Sequence, residues 1–363
     1  MDAFASAAGA PIIDRAAVVA RLRADFGVSV HSISQVSGGQ DSEAVVMRAV
    51  TVDGAEFAVK VSRSLGVGGL LASAFLARRV SSGIAGPLLA RSGQPFSVVD
   101  GRRLSVSPWV SGRGAYETGM DAPQWRSFGS VLAEVHDVQL PRAAADQLPT
   151  EDYRTPAAAS TRVLDERIRA EVRRHPAGSD ASPTGALIRE WHAATGSVGA
   201  ILTHIDDLGD ELRACTRPSV ICHGDAHIGN VQLSDDGGIW LLDWDEVVCA
   251  PRERDLMFVL GGVLAHAPVS TRQQGWFFEG YGPADIDPVQ LAYYRCSWAL
   301  QDIADYAGRV LDRPAMSAGA GSQALELFCD LLSPTGIVRL AVDSLQEIGR
   351  DVSVAGSRCG GRP

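Results

Sequence analysis

The stretch that most constrains this chain is residues 219–256, SVICHGDAHIGNVQLSDDGGIWLLDWDEVVCAPRERDL. Its apolar runs are too short for helices, whereas residues 220–222, 231–233 and 239–242 have the length and composition of strands. Ser-Asp-Asp-Gly-Gly between the last two is a strong turn signal and predicts a hairpin. With the turn centred on Asp236 and Gly237, facing residues have numbers that sum to 473, and Asn230 and Asp243 form such a pair. Directly opposed side chains in an antiparallel pair hold their Cβ atoms about 4.5–5.5 Å apart. An amide oxygen and a carboxylate at that spacing, with no basic residue between them, suit one hard cation such as magnesium. The inference depends on register, because a slip of one residue would send the two side chains to opposite faces.

Asp225 stands in the loop that leaves the first of these strands, five residues before Asn230. The order H-x-D-x-x-x-x-N, a hydrophobic hairpin and then an Asp, written here as HGDAHIGN followed by LLDWDE, resembles the catalytic segment of the protein-kinase-like fold. In this form it is similar to the aminoglycoside phosphotransferase family. The later APRERDLMF, FEGYG and YYR…QDIA are similar to the spectinomycin phosphotransferase branch. The resemblance implies that Asp225 orients and deprotonates an attacking hydroxyl. It implies further that Asn230 and Asp243 hold magnesium on the phosphates of ATP or GTP. His223 is then an orienting residue of the loop. Asp255 becomes a structural acceptor of backbone hydrogen bonds from it. Asp245 reads equally as a second carboxylate on the metal side or as a surface charge.

The first 110 residues fit a β-rich nucleotide-binding lobe. Asp14 can cap a helix over residues 15–26, and strands are predicted at 30–36, 44–52 and 56–61, the last two joined at Asp53-Gly54. Gly38 and Gly39 lie between the first two strands, where a kinase-like lobe places its phosphate-covering turn; by themselves they are an ordinary β-turn. Lys60, in FAVKV of the third strand, occupies the position that contacts the α and β phosphates. One departure is plain: no Asp or Glu occurs from Phe57 to Val99, so a helix predicted over 70–80 cannot supply the glutamate that usually pairs with this lysine. Either another carboxylate reaches Lys60 or the phosphates alone hold it. Residues 87–99 and 102–106 read as further strands. By resemblance, Ser107 and Trp109 belong to the hinge that receives the adenine.

Beyond residue 111 the periodicity turns helical. Trp125, Phe128, Leu132 and Val135 share a face and precede His136, read as structural. Residues 161–174 form a charged helix and 175–185 an exposed loop. Residues 187–212 are helical with a Gly-Ser break; 291–310 and 324–332 are further helices. Trp298, Asp302 and Asp305 recur at helical spacing. On pattern alone they are a core tryptophan with solvated aspartates; a carboxylate pair beside an aromatic also suits a hydroxylated, cationic acceptor, a reading the resemblance supports for Asp302.

The reading is an α+β, two-lobed protein-kinase-like fold: a nucleotide-binding lobe over 1–110, a catalytic and substrate-binding lobe over 111–355, and a disordered tail over 356–363. With 43 acidic against 33 basic residues the net charge is −10, which disfavours nucleic acid and leaves room for a cationic substrate. Six scattered cysteines show no metal or disulfide pattern, and no apolar run spans a membrane, so a cytoplasmic protein is expected. The expected activity is ATP-dependent phosphorylation of an aminocyclitol or aminoglycoside-type antibiotic. A kinase of another small metabolite and a non-catalytic pseudokinase are the rival readings.

Overall fold

Strict alternation organises the first layer of the fold. In Ala44–Thr51 every second residue is buried, so Val45, Met47 and Ala49 line one face. The computed structural model describes residues 3–4, 13–36, 44–174, 182–215, 217–312 and 318–352. Its largest sheet comprises Val30–Gln35 (β1), Ala44–Thr51 (β2), Glu56–Ser62 (β3), Ser97–Val99 (β4) and Arg102–Pro108 (β5). The strands run antiparallel in the order β1-β2-β3-β5-β4. Arg15–Arg21 (α1) starts from an Asp14 side chain that accepts the Ala16 N–H at 2.9 Å, and continues as a wider π turn over Leu22–Phe26. It drives Val18 and Leu22 into a core with Ile33, Met47, Val59, Val61, Leu104 and Val106. Because Val59 and Val61 face that core, Lys60 between them is turned to the opposite face.

Contacts within the chain define two compact units: Met1–Thr150 with Val220–Cys249 and Gly275–Pro283, and Glu151–Ser219 with Ala250–Gln274 and Ala284–Pro363. The expected boundary after residue 110 falls inside the first unit. There β5 runs on into Gly112–Gly114 (β6), which pairs with Val231–Ser234 (β8), and β8 in turn pairs with Ile239–Leu241 (β9). Val220–Cys222 (β7) precedes the HGD loop. The same unit contains Gly68–Leu76 (α2) and Ala122–Asp137 (α3). The expected face of α3 is buried at Trp125, Phe128, Leu132 and Val135, and His136 Nδ1 lies 2.7 Å from the Tyr281 hydroxyl.

The second unit is helical. Pro288–Leu311 (α6) packs against Pro156–Arg174 (α4), Pro183–Arg213 (α5), Ala318–Leu331 (α7) and Ile337–Glu347 (α8). Such a central helix is buried on more than one face, as the unbroken buried run from Leu291 to Cys296 shows.

Several expectations need correction. The hairpin pairs Val231 with Leu241 and Leu233 with Ile239, so facing numbers sum to 472 and not 473. The reason is a three-residue loop, closed by the Ser234 N–H on the Gly238 carbonyl, with Gly237 left-handed at φ 87°. Residues 87–96 form no strand, and α2 ends at Leu76. The Gly196-Ser197 break is absent: α5 runs unbroken because Ala194, Val198 and Ile201 keep its apolar face buried across the site. Part of the 175–185 loop, the Gly38-Gly39 turn and the tail from 356 lie outside the described residues. No helix among the described residues is long and apolar enough to cross a membrane.

Leu104 is fully buried at the centre of the sheet core. Leu104→Ala is expected to cost about 3 kcal/mol, read as a shift of the urea midpoint at constant m-value. A loss well under 1 kcal/mol would mean that the sheet and α1 are not packed there as described.

Candidate active site

The loop after β7 is held from within by His223, which is fully buried. Its Nε2–H donates to the Leu242 carbonyl at 2.8 Å while Nδ1 accepts the Asp225 N–H at 3.2 Å. These two bonds fix one neutral tautomer and tie the loop to the end of the hairpin. The ring also meets Trp244 edge-on, centroids 4.6 Å apart.

Asp225 is braced on one side only. Asn230 Nδ2 donates to its backbone carbonyl and to its Oδ2, both at 2.8 Å. Asp225 Oδ1 is buried and has no hydrogen-bond donor among the described residues; its neighbour is His227 Nε2, 3.3 Å away. With both amide N–H bonds spent on Asp225, the remaining polar atom of Asn230 is its acceptor oxygen.

Asp243 reaches the site by a route the strand pattern does not contain. The ladder closes with the Leu242 N–H on the Asn230 carbonyl at 2.8 Å, so the 472 register denies Asp243 the place directly across from Asn230. Instead Asp243 takes φ 61°, ψ 75°, a left-handed conformation that breaks the extended alternation. Such a backbone costs a residue with a side chain about 1–2 kcal/mol, and Asp is among those that tolerate it. Its carboxylate, about half exposed, accepts from Lys60 Nζ at 2.9 Å.

Lys60 has a second carboxylate partner, Asp245, also at 2.9 Å, and Asp245 is shared with the buried Arg103 at 3.1 Å. Burial pulls the Lys60 ammonium down, but the two carboxylates outweigh it and hold it above the usual lysine range. Burial pushes the Asp243 carboxyl up, and the Lys60 charge beside it carries it below the usual carboxylate range. The lysine left without a helix glutamate is thus paired from the other end of the unit.

The first unit therefore brings together Lys60, His223, Asp225, Asn230 and Asp243. Ser107 and Trp109 sit at the end of β5. Ser107 pairs with Ala58, and the Trp109 N–H is committed to the Glu56 carbonyl at 3.0 Å. The second unit holds the other named residues. Asp255 is fully buried, and Trp298 packs on Phe258 under the Arg254 guanidinium. Asp302 is half-buried on α6, and Asp305 is paired with Arg309 one turn on. For Trp298 and Asp305 this is the geometry of the core-and-surface alternative. Sequence reading weighed His227 only as a metal partner of His223, and it missed Arg103 and the Asp245–Lys60 pair. The D-W-D spacing is the only local trace of the last.

The donor set fits a hard cation. A half-exposed carboxylate and an amide oxygen offer oxygen ligands only, which suits magnesium over zinc.

Set beside known proteins, residues 32–294 match the phosphotransferase enzyme family, APH. The chain belongs to that family. The fold is similar to spectinomycin phosphotransferase APH(9)-Ia solved with ADP and spectinomycin, with a TM-score of 0.79 and 23% identity over 92% of this chain and 99% of that one. It is also similar to the amicoumacin kinase hAmiN solved with AMP-PNP, Ca2+ and its antibiotic, with a TM-score of 0.60 and 15% identity over 90% and 97% of the two chains. A curated protein of Streptomyces griseus, StrN, is 25% identical over 225 residues. That match takes in 61% of this chain and 63% of StrN, less than two thirds of its length.

His227 gives this site a pH signature. Its ring is pushed below the ordinary histidine range by burial, against the upward pull of Asp225. The unfolded chain therefore takes up this proton first, and stability from neutral His227 is present above about pH 6.5 and lost as pH falls below it. In NMR titration the His227 midpoint should lie below that of an exposed histidine and fall further in Asp225→Asn. A midpoint that rises in that variant would contradict the described contact.

Proposed function

We propose that this chain transfers the terminal phosphoryl group of ATP to a hydroxyl of an aminocyclitol or aminoglycoside-type antibiotic of the spectinomycin class. The observation that carries the reading is the one-sided bracing of Asp225. One carboxylate oxygen is locked by Asn230, and the other is buried with no hydrogen-bond donor among the described residues. Such an oxygen is placed to accept a hydrogen bond from an incoming hydroxyl and then its proton.

In this reading the acceptor hydroxyl is oriented on Asp225 Oδ1. Its oxygen attacks the γ-phosphorus, the bond from that phosphorus to the ADP oxygen breaks, and the hydroxyl proton passes to Asp225. Lys60 donates to the α and β phosphates. Asn230 and Asp243 would hold magnesium, which supplies charge neutralisation on the phosphates when bound. His223 keeps the loop in register with the hairpin end. Most of the rate enhancement then comes from positioning and fixed charge, as is general for phosphoryl transfer. The spectinomycin complex of a structurally similar enzyme supports the acceptor class. The net charge of −10 suits a cationic one.

The test is incubation with ATP, magnesium and a panel of aminocyclitols, aminoglycosides and small amino alcohols, read by mass spectrometry as gain of one phosphoryl group. Spectinomycin-class acceptors should be modified. Asp225→Asn should lower kcat by about 10²- to 10⁴-fold, and Asp243→Ala should abolish turnover. Product only from amino alcohols would overturn the acceptor class. No product from any acceptor would overturn the reading itself.

A further inference from the structure

We propose that Asp245 is the positioning residue for Lys60, replacing the glutamate that α2 lacks, and that it is held in place by Arg103 and by the close seat of α2. The proposal deepens the phosphotransferase reading and rests on it.

The chain has no acid between Phe57 and Val99, so α2 has no carboxylate to offer. The structure shows what takes its place. Gly69 brings the α2 backbone against the Trp244–Glu246 turn: a Cβ on Gly69 would stand 2.1 Å from the Trp244 carbonyl oxygen and 3.2 Å from Asp245 Cα. Helix and turn touch backbone to backbone there, and no acidic side chain could be inserted between them. The negative charge is supplied instead by the turn, from Asp245.

Asp245 is also better fixed than a solvated loop aspartate. Arg103 Nη2 donates to its Oδ1 at 3.1 Å and to its Oδ2 at 3.4 Å, while Lys60 Nζ meets Oδ2 at 2.9 Å. Arg103 itself is buried on β5. The ladder pairs Ser62 with Arg103 and Lys60 with Ser105, so lysine and arginine share one face of adjoining strands. One carboxylate thus bridges two neighbouring cations that would otherwise repel. Asp243, by contrast, is half exposed and has the metal-facing duty assigned above. Asp245, with both oxygens on protein cations, is the partner Lys60 keeps.

The test is calorimetric binding of ADP, with and without magnesium, to the wild type, Lys60→Ala, Asp245→Asn and the double variant. Asp245→Asn should weaken ADP binding about tenfold in both conditions, and the double variant should bind little worse than Lys60→Ala. Arg103→Met should reproduce the loss of Asp245→Asn and Arg103→Lys should largely restore binding, with thermal melting as the folding check. Unchanged or tighter binding in Asp245→Asn, or fully additive effects, would overturn the assignment. The coupled pattern in an enzyme that phosphorylates no acceptor would refute the proposed function and leave Asp245's role standing. Turnover of an aminocyclitol with Asp245→Asn indistinguishable from wild type would do the reverse. A wild type that binds no ADP would overturn both.

Discussion

The ion pair between Lys60 and Asp243 is the contact on which the site depends. It spans 183 residues of sequence and joins the third strand of the sheet to the turn that ends the hairpin. Neither partner would be comfortable alone. A largely buried ammonium loses hydration that only close carboxylates can replace, and a carboxylate in a left-handed backbone needs a reason to stay there. Each supplies the other's compensation. With that pair made, the loop of Asp225 is aligned as well, because His223 bonds to Leu242, the residue just before Asp243.

The HGD loop was legible because its hydrogen bonding is local. Asp225 and Asn230 are five residues apart and hydrogen-bond directly, as the H-x-D-x-x-x-x-N spacing anticipates. The strands of the sheet were legible from alternation, as was the buried face of α3 from its three- and four-residue steps. Register was not. Strand-turn-strand patterning names a hairpin but does not say whether its loop has two residues or three, and Gly237 decides that by adopting a left-handed backbone. A strict ladder in the observed register would have separated Asn230 from Asp243. The left-handed Asp243 instead sets its carboxylate on Lys60, and nothing in its neighbours' residue types announces it.

What escaped the sequence entirely is the long-range charge arrangement. Arg103 and Asp245 lie 142 residues apart, and Arg103 reads locally as an ordinary strand residue beside a turn. The absence of a helix acid was visible, but its replacement was not, because the replacement comes through the packing of Gly69 on the turn. The unbroken α5 teaches the same lesson in the other direction: tertiary burial on both sides of Gly196-Ser197 overrides the local helix-breaking signal.

On the proposed function, the Asp225 oxygen not held by Asn230 would face the acceptor, and Lys60 of the same unit would face the donor phosphates. A crystal structure with AMP-PNP, magnesium and spectinomycin tests it most directly. The account predicts an acceptor hydroxyl within hydrogen-bond distance of Asp225 Oδ1, and Lys60 on the α and β phosphates while still paired with Asp245. Nucleotide bound away from Lys60, or an acceptor with no hydroxyl near Asp225, would contradict it.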